Sequence, residues 1–204
     1  MNHLTPALVA ALVNMLLCAL LLGAVWTDVK SHRIPNRLVF IGAGLGLLLN
    51  SVLPEGTGFV SGLPGALGFW KASEGLALGL IVFLPMYMLR AMGAGDVKLM
   101  AMVGAFVGPN ALIGTIILTF LIGGALSILT ALRLGTLDRL VDNLRTMVMG
   151  SIFKAVLHEM PTLDSASISA GKLPYGVAIA AGTLSYFGMI YSGHVGFLHA
   201  LSVF

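Results

Sequence analysis

The stretch PALVAALVNMLLCALLLGAVW, residues 6–26, contains no Asp, Glu, Lys or Arg. A membrane-crossing helix needs about 20 apolar residues at 1.5 Å rise each, and this run supplies them without interruption. It does not read as a removable secretory signal. Such a signal wants a basic region ahead of its apolar stretch, and no Lys or Arg precedes Lys30. Outward from this segment, five more apolar stretches follow, at residues 38–53, 75–92, 97–108, 111–132 and 173–191. All six are expected to be helical, because lipid leaves no partner for unpaired backbone groups. The second is short for a span and the fourth is shorter still.

Composition agrees. Of 204 residues, 58% are hydrophobic and 9% charged, with a mean hydropathy of +1.00. A soluble domain carries about 25% charged residues to wet its surface, so most of this exterior must face lipid. The 26 glycines fit close helix contacts in a bilayer, with Gly42/Gly46, Gly75/Gly79 and Gly104/Gly108 as candidate packing faces. The expected fold is all-α, one polytopic domain over residues 1–204 with about six transmembrane helices.

Orientation follows from the cations. Ten of the eleven Lys and Arg residues fall in alternate connections, and Lys71 is the exception. By the positive-inside rule, the odd-numbered connections are cytoplasmic and both termini lie outside. The fifth connection carries Leu137, Val141, Leu144, Val148 and Ile152 at three- and four-residue steps, with Asp138, Asp142, Arg145 and Lys154 interleaved. That pattern predicts a cytoplasmic amphipathic helix over about 137–160 lying in the interface. Its reading as a surface connector stands beside a role in gating or docking substrate.

With eight acids in the chain, each can be weighed singly. Glu55, Glu74, Asp138, Asp142, Glu159 and Asp164 fall in loops or on the interfacial helix and read as solvated. Asp28 closes the first segment, and Asp96, after Gly93-Ala94-Gly95, opens the short fourth one. If that segment turns at Pro109, Asp96 lies below the inner interface, where a carboxylate is costly and therefore a functional candidate. Asp28, on the same side, is its natural partner. Two carboxylates brought close do not both ionise easily, so one keeps a proton and the other acts as base toward water. Gly93 and Gly95 are expected to let backbone approach Asp96, to adopt angles barred to other residues and to leave room for an extended substrate strand. Taken singly, Asp28 also reads as a helix-end charge and Asp96 as a helix N-cap.

Other chemistries lack their residues. The five histidines are scattered and Cys18 is the single cysteine, so neither a metal site nor a disulfide is expected. There is no Gly-x-Ser-x-Gly elbow and no phosphate-binding glycine loop. The spread of cations over the loops reads as topology and not as nucleic-acid binding.

Three stretches together resemble the type IV prepilin peptidases, closest to the short, peptidase-only members of tight-adherence (Flp-type) pilus systems. They are Asp28-Val29-Lys30-Ser31-His32-Arg33-Ile34-Pro35-Asn36, Gly93-Ala94-Gly95-Asp96-Val97-Lys98-Leu99-Met100, and Lys172-Leu173-Pro174-Tyr175-Gly176-Val177-Ala178. The resemblance implies that Asp28 and Asp96 are catalytic aspartates, with Pro35, Asn36, Pro174, Tyr175 and Gly176 as structural motif residues. It implies cleavage of a short basic leader from prepilins and pilin-like proteins at the cytoplasmic face of a bacterial inner membrane. Longer relatives add a cysteine-bearing cytoplasmic region and a methyl transfer. With one cysteine and no such region, the expectation is a peptidase without N-methylation, needing no metal and no S-adenosylmethionine. Lys30 and Lys98, each two residues beyond an aspartate, are expected either to bias the pair toward its singly ionised form or to anchor the inner face. A non-catalytic scaffold or transporter subunit of a pilus or secretion machine is the alternative, and a presenilin-like or archaeal preflagellin-type protease is a third reading.

Overall fold

A computed structural model describes residues 6–61, 64–88, 92–133, 135 and 175–192. The expected amphipathic helix at 137–160 and the motif residue Pro174 lie outside the described residues. Among the described residues the chain is all-helical apart from two isolated bridges in the 53–68 loop, Glu55 with Ala66 and Gly58 with Gly65.

Helix α1, Pro6–Ser31, has 26 residues and continues past Trp26, so Asp28 sits inside its last turn. It stops where His32 takes a left-handed conformation at φ 49° and donates its N–H to the Asp28 carbonyl at 2.8 Å, a common way for a helix to end. After Pro35, α2 spans Asn36–Val52. Helix α3 spans Phe69–Met88, α4 spans Ala94–Arg133, and α5 spans Tyr175–Tyr191. Three of these, α1, α3 and α4, are long and apolar enough to cross a membrane, while α2 and α5, at 17 residues each, are shorter apolar helices. This is a membrane protein.

The fourth and fifth apolar stretches form one helical element broken at Gly108, where φ 74° and ψ 177° leave helical space. The sequence reading put the turn at Pro109-Asn110. The pivot is instead the residue before the proline, because a glycine has no Cβ to forbid positive φ. The two arms fold back on each other. Leu112 of the second arm packs against Gly104 of the first. Gly75 and Gly79 of α3 lie against Gly104 and Ala101, yet farther along α3 Phe83 stacks on Phe120 of the second arm, centroids 5.4 Å apart. Only a returning arm reaches both.

The first arm, residues 94–107, is the hub. From Val97 to Gly108 every residue except Lys98 is buried. Helix α2 runs beside it, with Gly42 on Met102 and Gly46 on Ala105, and α3 covers another side through Gly75 and Gly79. These are the expected packing glycines, and a Cβ at any of them would collide. Helix α5 packs on the second arm, with Tyr186 against Gly114, Gly182 against Thr119 and Ala178 against Gly123. Helix α1 closes the bundle against α2 and α5.

The break leaves carbonyls without helical donors. Pro109 has no N–H for the Ala105 oxygen, and the turn removes the donor for Phe106. Asn50 of α2, 1% exposed, replaces both. Its Nδ2 reaches the Ala105 oxygen at 2.9 Å, Phe106 at 3.2 Å and Gly46 at 3.1 Å, while its Oδ1 accepts Leu67 N–H at 2.9 Å.

Candidate active site

At the end of the bundle opposite Gly108, three chain segments converge: the last turn of α1, the start of α4 and the start of α5. Asp28 is 6% exposed, and its Oδ2 accepts the Gly176 N–H at 2.9 Å, across 148 residues of sequence. Gly176 lies in the first turn of α5, where N–H groups lack helical acceptors and the helix dipole favours an anion. A Cβ on Gly176 would stand 2.7 Å from that same oxygen, so only glycine permits the approach.

Asp96 is the third residue of α4 rather than its cap. Its Oδ2 accepts the Gly93 N–H at 3.2 Å and its own N–H bonds back to the Gly93 carbonyl at 3.1 Å. The first of these is one half of a capping box, in which an acid at the third position accepts the N–H of the cap residue. The expectation that Gly93 and Gly95 use backbone angles barred to other residues is not met, since neither has positive φ. Their missing side chains matter instead: a Cβ at Gly93 would come 3.1 Å from Asp96 Oδ2, and one at Gly95 would come 3.2 Å from Ile34 Cβ. The physical reason is that both sit in or beside a helix's first turn, which any residue's φ and ψ can adopt.

The two carboxylates share this end of the bundle. Tyr175, half-buried, rests its ring beside Gly123. Lys98 points its ammonium at Asn36 Oδ1, 3.0 Å away, and lies 5.4 Å from the centre of the Phe40 ring. Lys30 is exposed at the end of α1 and Pro35 is exposed at the start of α2. Among the described residues no three His, Cys, Asp or Glu side chains gather as metal ligands.

A family model, that of the type IV leader peptidase family, matches residues 15–128, more than half of the chain. The chain belongs to the type IV leader peptidase family. It is therefore a peptidase, with a prepilin-type leader as the general class of substrate. No curated protein and no solved structure matches it. The matched region carries Asp28, Lys30, Pro35, Asn36, Gly93, Gly95, Asp96 and Lys98, whereas Tyr175 and Gly176 lie beyond it.

The sequence reading passed over Asn14, Asn50 and Phe40. A signal for the first two was present. Each is a lone amide inside an apolar segment, and such residues in lipid are held by specific partners. Nothing local distinguishes Phe40 from its lipid-facing neighbours.

Proposed function

We propose that this family member is an intramembrane aspartyl endopeptidase with Asp28 and Asp96 as its catalytic pair. The observation that carries the reading is the arrival of two carboxylates at one end of the bundle from separate helices. Among the described residues each accepts one hydrogen bond, on Oδ2, from a glycine N–H. The other oxygens are left for water and substrate. In the reaction one carboxylate takes a proton from water as the oxygen attacks the scissile carbonyl carbon. The other, in its acid form, gives its proton to the carbonyl oxygen. Collapse of the resulting gem-diol breaks the C–N bond, and a proton passes to the leaving amine.

The substrate is a Flp-type prepilin, whose own apolar helix lies beside the enzyme and whose leader peptide bond unwinds near Asp96. The chain crosses a bacterial inner membrane six times, with the arms of α4 as two crossings, both termini outside and the catalytic pair toward the cytoplasm. Ten of eleven cations in alternate connections support that orientation. The reaction uses neither metal nor S-adenosylmethionine, and the mature pilin leaves with an unmethylated N-terminus.

Co-expression of a Flp-type prepilin with wild type, Asp28→Asn or Asp96→Asn at equal membrane levels tests this. Asn keeps size and polarity but cannot act as base. Wild type is expected to remove the leader and both variants to leave it attached, with the mass of the mature N-terminus reporting methylation. Normal processing by either variant removes that aspartate from the mechanism. Failure of wild type itself would rule out the Flp-type prepilin as its substrate.

A further inference from the structure

The connection between α1 and α2 is joined to the Asp96 turn at two points. Ile34, 9% exposed, packs directly on Gly95, where a Cβ would come 3.2 Å from the Ile34 Cβ. Three residues after Gly95 and two after Ile34, Lys98 Nζ donates to Asn36 Oδ1 at 3.0 Å. Phe40, four residues after Asn36 and so on the same face of α2, places its ring 5.4 Å from the ammonium. Asn36 and Phe40 thus form a two-point seat for one cation.

That seat is unusual on electrostatic grounds. Asn36 is the first residue of α2, and a cation at a helix N-terminus opposes the helix dipole. The side chain also comes from the hub arm, where Lys98 alone between Val97 and Gly108 is not buried. The hydrogen bond and the ring hold Lys98 against that field, two residues from Asp96. On the other side Asp28 is already fixed to α5 through Gly176. The separation of the two carboxylates therefore depends on how the short connection carrying Asp28's helix end meets the turn carrying Asp96.

We propose that the Lys98–Asn36 bond is a positioning latch that holds the α1–α2 connection on the Asp96 turn and sets the two carboxylates in register. Lys98 works here as a tether and not as a counter-charge. The inference rests on the aspartyl-dyad reading and names how that dyad is aligned.

The test is a double-mutant cycle on purified enzyme in detergent, with a Flp-type prepilin as substrate and Asp28→Asn and Asp96→Asn run alongside. Lys98→Met keeps the apolar stem over Phe40 and removes the donor, and Asn36→Leu removes the acceptor. A latch predicts that each lowers kcat by roughly 10- to 100-fold, as small misplacements of reacting groups do, with KM little changed. The double variant is then no worse than either single one. Asn36→Asp, which keeps an acceptor, is expected to recover most of what Asn36→Leu loses. A counter-charge role predicts the opposite: Asn36→Leu, with the ammonium intact, stays near wild type while Lys98→Met falls. That pattern, or losses that multiply in the double variant, overturns the latch. Full activity in Asp28→Asn or Asp96→Asn would instead sink the dyad, and is read separately.

Discussion

At the Gly108 end of the bundle, two buried amides tie separate segments together. Asn14 donates to the Phe59 carbonyl at 2.9 Å and to the Tyr191 hydroxyl at 3.0 Å, and Asn50 serves three carbonyls and one N–H. At the opposite end, Asp28 and Asp96 each accept one hydrogen bond from the described residues. Both ends place polar groups in an apolar bundle, where an unsatisfied one costs about 1–3 kcal/mol. Asn50 uses both its donor and its acceptor and Asn14 uses both donor hydrogens; both are neutral and serve the fold. Among the described residues each carboxylate has its second oxygen without a donor, and each carries charge where the amides do not.

The sharpest break of this contrast is at the carboxylates. Asp28→Asn and Asp96→Asn are expected to reduce prepilin cleavage by about 10²–10⁴-fold, the range for loss of a general acid or base, with little loss of folded protein. Next comes Gly176→Ala, whose Cβ would stand 2.7 Å from Asp28 Oδ2. It should displace that carboxylate and lower cleavage by roughly 10- to 100-fold, while Gly188→Ala in the same helix, with no atom within 4 Å of its Cβ, serves as the control.

At the far end the effect should move from rate to stability. Asn50→Leu leaves the Ala105 and Phe106 carbonyls without their donor and is expected to cost about 2–4 kcal/mol, read as a lower midpoint of thermal unfolding in detergent. Cleavage per folded molecule should fall far less than in the carboxylate variants. An Asn50→Leu protein that is fully stable but inactive would overturn the division between the two ends. The smallest change is Gly44→Ala on α2, where a Cβ meets nothing within 4 Å. It should raise stability by up to about 1 kcal/mol through helix propensity and leave cleavage untouched.

Much of this was legible in one dimension. Membrane class, helical content, the packing glycines and the two candidate aspartates follow from hydropathy, residue spacing and the cost of acid in lipid, which are local properties of the chain. Helix ends were less so. Asp28 proved to be inside α1 because the turn that ends that helix is made by His32 in a left-handed conformation, which its side chain does not advertise. The break falls on Gly108 because glycine tolerates positive φ, and the carbonyls it frees are met by Asn50, 55 residues away from Ala105, donating from its Nδ2.

By itself, then, the sequence determined that this chain is a helical membrane protein with two acids worth explaining, because burial in lipid constrains each segment independently of its neighbours. Tertiary structure alone decided that Asp28 meets Gly176, that Asp96 is tied to Gly93 at the same end of the bundle, and that Lys98 is seated on Asn36 and Phe40. The Asp28–Gly176 and Lys98–Asn36 contacts join residues 148 and 62 positions apart. Their geometry comes from how whole helices pack, and no local pattern in the chain encodes it.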